Sequence, residues 1–280
     1  MASDGPRNFA HSVVGQLLSR IKPNSTALPR VALAARWCVF TTVGPVRTAS
    51  WAARVARYAS SFVGSFVSPT ATDIVANYAR GFVLFGIPLS VDVPFFWAWF
   101  PVRAVITPAT AKVPKRLRSI QRRGDVEVRY DQDFEAIIYH TKRDDDGWLT
   151  SDLIDLYRHL QALGFVATVG AYREGRLVGG LWGIEVGRTF GIMSMFHLED
   201  HAGALALAAV ADVVADNGRW SLVDCGILNA NFERYGAKGM PTEEFCELVL
   251  RGLKQAGSCG LSPDPRAPSS SGARTAKEWT

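Results

Sequence analysis

Between Phe165 and Phe196, three long apolar runs are separated by two tight turns, Glu174-Gly175 and Val186-Gly187. Such runs predict an antiparallel meander of Phe165 to Tyr172, Arg176 to Val186 and Arg188 to Phe196. The rest of the chain must pack on that sheet. Upstream, Val126 to Tyr130 alternates as a strand does, and Asp131 or Asp133 is placed to cap a helix through Phe134, Ile137 and Ile138. A second helix runs through Leu153, Leu156, Tyr157 and Leu160 to Gly164. Downstream come an Ala-rich helix from Ala202 to Val214, a short strand ending at Asp224, and a last helix from Pro241 to about Leu253. This order is α+β: an antiparallel-centred sheet with flanking helices.

Ser221-Leu222-Val223 delivers Asp224 to the end of a buried strand. A carboxylate there is costly unless something pairs it or uses it. Two readings stand: a structural acid holding nearby backbone N–H groups, or a group that orients or deprotonates a nucleophile. Cys225, next along, should point to the opposite, buried face, and is read as core. The chain has no nucleophile elbow and no phosphate-binding glycine loop with a lysine.

The clearest charge signal is Lys112, Lys115, Arg116, Arg118, Arg122 and Arg123, with no acid from Ala111 to Arg123. At about 100° per residue the six fill one arc of a helix, while Val113, Leu117 and Ile120 fall opposite. Pro114 suits the first turn. A solvated face normally mixes signs, because like charges four apart repel. The arc therefore predicts contact with RNA phosphates ahead of a merely solvated face. The net charge of +5 permits a polyanionic partner without requiring one.

Other segments are less specific. Phe95 to Phe100 is almost wholly aromatic and reads first as a core wedge. Residues 1–72 hold eight Arg or Lys against one acid, Asp4. Their Trp51 to Phe62 stretch suggests an added helical region on the body; a transit segment or a membrane-surface helix are the alternatives. Their most apolar run, Val31 to Gly44, is too short to span a bilayer, so no stable membrane insertion is expected. The four cysteines show no C-x-x-C spacing, which predicts reduced thiols in the cytoplasm and neither metal nor cofactor. The expected divisions are a basic, acid-poor extension (1–72), a smaller α/β subdomain with the basic helix (73–124), the acyltransferase-like domain (125–255) and a disordered tail rich in Pro, Ser and Gly (256–280).

Several pieces recur in one order: Tyr78 to Gly81, Arg103-Ala104-Val105, Trp148-Leu149-Thr150, Tyr157 to Gly164, Leu177-Val178-Gly179-Gly180, Ser194-Met195-Phe196, Leu222 to Cys225, Leu228-Asn229 and Gly236-Ala237. In that order they resemble the leucyl/phenylalanyl-tRNA–protein transferases, over about residues 73–255. The resemblance implies a fold related to the N-acetyltransferases. It implies transfer of leucine or phenylalanine, and of methionine as a further donor, from aminoacyl-tRNA to acceptor proteins with an N-terminal Lys or Arg. Such transfer marks the acceptors for degradation through the N-degron pathway, and a monomer is expected. Carried over residue by residue, it implies catalytic roles for Asp224 and Asn229. It also implies substrate contacts for Phe96, Trp97, Trp148, Met193, Ser194, Phe196 and Gly226. Gly226 stands where the family has an amide, Met193 where it has a carboxylate, and Gly203 and Ala204 where it has Ser and Lys. Those departures keep an alternative open, a relative that only binds aminoacyl-tRNA or that aminoacylates a peptide or small molecule.

Overall fold

The structure, a computed structural model, describes residues 61–65, 69–86, 95–142 and 147–258. The expected tail, and all but the end of the expected N-terminal extension, lie outside the described residues. Two compact units take their described residues from Met1–Pro101 with Lys142–Leu163, and from Val102–Thr141 with Gly164–Thr280. The division is not collinear with the chain: residues 102–124, with the basic helix, belong to the larger unit, and 142–163 belong to the smaller one.

The smaller unit has a three-stranded antiparallel sheet in the order β1-β3-β2, from β1 (Ser61–Ser65), β2 (Phe82–Gly86) and β3 (Phe95–Trp99). Helices α1 (Ala71–Ala79) and α4 (Ser151–Ala162) pack against β2. β1 corrects the expectation of a helix through Phe62. Short apolar runs fit either period, and pairing with β3 decides this one. The cap of α1 is Thr70. Thr70 accepts from the Asp73 N–H at 3.2 Å, and the Asp73 carboxylate accepts from the Thr70 N–H at 3.0 Å, a reciprocal box needing the acid three residues inside the helix.

The larger unit is built on a seven-stranded sheet in the order β10-β4-β9-β8-β7-β6-β5. Its strands are β4 (Val102–Ile106), β5 (Glu127–Tyr130), β6 (Val166–Arg173), β7 (Arg176–Val186), β8 (Thr189–His197), β9 (Leu222–Asp224) and β10 (Lys238–Pro241). All neighbours are antiparallel except β8 and β9. A parallel pair needs a crossover, and helix α5 (Ala202–Ala215) provides it. Helices α2 (Lys115–Arg123), α3 (Phe134–Thr141), α6 (Ala230–Glu233) and α7 (Thr242–Ser258) complete the unit. The α+β class, with a mostly antiparallel sheet and flanking helices, is therefore as expected. So is the meander: Glu174 and Gly175 both have positive φ, 50° and 75°, the backbone of a tight hairpin turn. α5 sits directly on the sheet because β7 offers Gly179, where a Cβ would come within 2.7 Å of Ala202 and Gly203. Asp133 does not cap α3 with its side chain, which accepts instead from the Tyr172 hydroxyl at 2.6 Å.

Candidate active site

The parallel pairing of β8 with β9 covers Thr189–Leu222, Phe190–Val223 and Gly191–Asp224, and stops there. β8 runs on to His197 beside β7. The other chain leaves with β4: the Cys225 N–H donates to the Ala104 carbonyl at 2.7 Å, and the Ala104 N–H to the Gly226 carbonyl at 2.8 Å. The ladder thus opens between β8 and the Asp224–Gly226 turn. Parting strands of a parallel pair leave backbone groups available to a ligand. Met193 lies on the open stretch, as the extra residue of a β-bulge: Trp182 pairs with Ser194, but Gly183 pairs with Ile192. Met193 and Ser194 are half-buried.

Asp224 is 2% exposed and so is not open to an attacking amine. Its partner is Arg103 on β4, 1% exposed. The Arg103 Nε donates to Oδ1 at 3.2 Å, and its Nη2 pairs with Oδ2. The Gly226 N–H donates to Oδ1 at 2.8 Å, and the guanidinium lies 5.2 Å from the centre of the Phe245 ring of α7. The carboxylate therefore anchors the turn that borders the opening. Cys225 points the other way, into the core with Ala104 and Val223. Burial, and the neighbouring Asp224 charge, push its thiol well up, so it offers no thiolate.

Asn229 is exposed and caps α6: its Oδ1 accepts from the Asn231 and Phe232 N–H groups at 3.0 and 3.2 Å, and its Nδ2 donates to the Ile227 carbonyl. Gly226 has φ +74°, and a Cβ there would meet nothing within 4 Å. Space for a side chain exists, but the backbone resists one. Gly226→Gln should cost about 1–2 kcal/mol in chemical denaturation, the left-handed penalty alone. A loss above about 3 kcal/mol would show that the space is closed.

Phe196 is buried at the far end of the open stretch, with one face covered by His140 at 5.0 Å between ring centres. Phe96, Trp97 and Trp148 belong to the smaller unit. There Phe96 stacks on Phe85 at 5.2 Å, and Phe85 meets Trp148 edge-on at 5.7 Å. Gly86 fixes this approach. Its N–H donates to the Trp148 carbonyl at 2.9 Å, and a Cβ there would collide with Trp148 and Thr150. Trp97 is buried. Among the described residues no group of three or more His, Cys, Asp or Glu could hold a metal. No helix of theirs is long and apolar enough to cross a membrane.

All six cations of α2 and its approach, Lys112, Lys115, Arg116, Arg118, Arg122 and Arg123, are exposed, while Leu117 is buried and Val113 and Ile120 pack on the core. The arc is not wholly uncompensated. Arg118 donates to Asp212 of α5 at 2.9 Å, and Arg116 lies 3.1 Å from the His201 Nε2. Burial holds the Asp212 carboxyl above its ordinary range, against the pull of Arg118. Lys112, Lys115, Arg122 and Arg123 make no ion pair among the described residues.

Residues 105–250 match the family model of leucyl/phenylalanyl-tRNA protein transferase. The chain belongs to that family. The match takes in the basic helix, the bulge of β8 and the Asp224 turn, and leaves out Phe96 and Trp97. The leucyl/phenylalanyl-tRNA–protein transferase of Syntrophobacter fumaroxidans is 31% identical over 168 residues, covering 58% of this chain and 71% of that one. The Myxococcus xanthus transferase is 31% identical over 187 residues, covering 65% and 78%. A GCN5-related N-acetyltransferase from Kribbella flavida is similar over 58% of each chain, at 15% identity and a TM-score of 0.31, too distant to carry an argument.

Proposed function

We propose that the protein transfers leucine or phenylalanine from aminoacyl-tRNA to the N-terminal Lys or Arg of acceptor proteins, in the cytoplasm and as a monomer. The observation that carries this is the family match over residues 105–250, which spans the whole opening between β8 and the Asp224 turn. In the reaction the acceptor's amine attacks the ester carbonyl. A C–N bond forms, the bond to the ribose oxygen breaks, and the amine's proton passes to that oxygen. The ester is already activated, so placement supplies much of the rate. Met193 and Ser194, at the bulge, border the opening where the reacting carbonyl lies. Asp224 acts as a positioning residue, through Arg103 and the Gly226 turn. Met193 and Phe196 make this part of the site apolar, which suits leucine, phenylalanine and methionine side chains. Exposed Lys112, Lys115, Arg122 and Arg123 bind the RNA backbone, with Arg116 beside them.

The test mixes the protein with radiolabelled Leu-tRNA or Phe-tRNA and a peptide beginning with Lys or Arg. Label is expected in the peptide, with far less from Lys-tRNA in competition. RNA binding without transfer would replace this reading with that of a binding protein, to which Met193 and Gly226 would then be the cause.

A further inference from the structure

Met193 and Ser194 border the opening because Met193, and no neighbour of it, is left out of the ladder. Nothing in Ile192-Met193-Ser194-Met195 itself selects Met193 for this. Were the extra residue to fall one place on, Met193 would pair with Trp182 and Ser194 would be the residue left out. Two contacts hold the bulge where it is. On the side paired with β9, Gly183 lies so close to β8 that a Cβ would stand 2.0 Å from the Gly191 carbonyl oxygen. On the side of the opening, Trp182 pairs with Ser194 and is fully buried. Its Nε1 donates to the Thr141 hydroxyl at 2.9 Å, and that hydroxyl donates in turn to the Ile138 carbonyl at 2.9 Å, within α3. The hydroxyl proton is thus engaged, and the Thr141 oxygen is left as an acceptor for the indole. Phe134, at the other end of α3, meets the Trp182 ring edge-on at 6.4 Å. One side chain therefore ties the bulge to a helix at two points.

We infer that Trp182 is a positioning residue for the transfer: held by Thr141, its indole fixes the extra residue of β8 at Met193 and so sets Met193 and Ser194 against the opening. The inference rests on the reading of the protein as an aminoacyl transferase. An activated ester asks mainly for placement, and a misplacement of about 1 Å can cost about a hundredfold in rate. Packing alone asks only for a large apolar residue between α3 and the sheet. The hydrogen bond adds direction, because a buried indole N–H without an acceptor is costly and the ring is satisfied only where it meets Thr141. The same bulge links two registers. Gly191, the partner of Asp224, stands just before it, and Ser194, the partner of Trp182, just after. Its place therefore sets how Met193 and Ser194 stand relative to the Asp224 turn.

The test measures transfer from Leu-tRNA to a peptide beginning with Lys, per folded molecule and at saturating substrates, together with hydrogen exchange of the full-length protein. Thr141→Val removes the acceptor and keeps the shape; Trp182→Phe removes the donor and keeps an apolar ring. Each should lower kcat about tenfold or more with affinity for RNA unchanged. Each should also quicken exchange in residues 190–197 while β6 stays protected. Thr141→Ser keeps the hydroxyl and should retain both the rate and the protection. Combining Thr141→Val with Trp182→Phe should cost little beyond either alone, since the same bond is lost in all three. Ile137→Val thins the packing of α3 without touching that bond, so it should lower stability and leave kcat per folded molecule unchanged. An unchanged kcat in either Thr141→Val or Trp182→Phe overturns the inference and leaves the transferase reading intact. So does a loss in Ile137→Val equal to theirs, or a loss without quicker exchange at 190–197. A parent protein that transfers nothing overturns both.

Discussion

Replacing Asp224 by alanine should lower the stability of the larger unit by about 3–5 kcal/mol, the cost of leaving a buried partner charge uncompensated. Arg103 is that partner, and at 1% exposure its guanidinium has no route to water. Asp224→Asn keeps the shape but removes the counter-charge that Asp224 supplies to Arg103, so it should fall in the same direction. The double variant Arg103→Met with Asp224→Leu removes both charges and should recover most of the loss, because buried ion pairs often exchange for apolar residues at little cost. Urea denaturation of the parent, Arg103→Met, Asp224→Leu and the double variant measures the cycle, with Asp224→Ala and Asp224→Asn alongside. A single variant within about 1 kcal/mol of the parent would mean that the pair is solvated, and that Asp224 is open to substrate after all. The transfer assay adds the functional half. Asp224→Asn keeps one oxygen that can accept from the Gly226 N–H but sets an NH2 group against an Arg103 N–H, which loosens the turn, so turnover should fall while affinity for RNA is held by α2.

Each half of that pair is legible by itself in the sequence, but the pairing is not. Asp224 is a lone carboxylate ending an apolar strand, and Arg103 is a lone cation leading the run Ala104-Val105-Ile106. Two unmatched charges in two buried strands are a usable signal, since neither can be buried alone. What hides it is distance along the chain: the two residues stand 121 positions apart, beyond the reach of any local pattern. The meander is readable because its turns declare themselves: only residues tolerant of positive φ suit Glu174-Gly175 and Gly187. The bulge at Met193 is not. One extra residue leaves no mark in a strand that is buried or half-buried up to His197, where hydrophobicity does not alternate.

The basic helix is legible as charge, and its division of labour comes only from the fold. Arg118 is engaged by Asp212, which Gln121 also meets, and so ties α2 to α5. Lys115, Arg122 and Arg123 are exposed with no ion pair among the described residues, and Leu117 holds the helix to the core from the other side. Reversing Lys115 and Arg122 to glutamate should therefore weaken RNA binding at least tenfold without unfolding the protein. It should also flatten the dependence of log K on log salt by about 0.9 for each phosphate no longer neutralised, so by about 1.8 for the pair. Titration of tRNA at several salt concentrations reads both quantities. Arg118→Glu serves as the contrast. It places a carboxylate against Asp212, so its main loss should appear in thermal or urea unfolding, with a smaller change in salt slope. Weaker affinity at every salt concentration with the slope unchanged would mean that Lys115 and Arg122 meet no phosphate, and that the cations of α2 serve only the protein's long-range field.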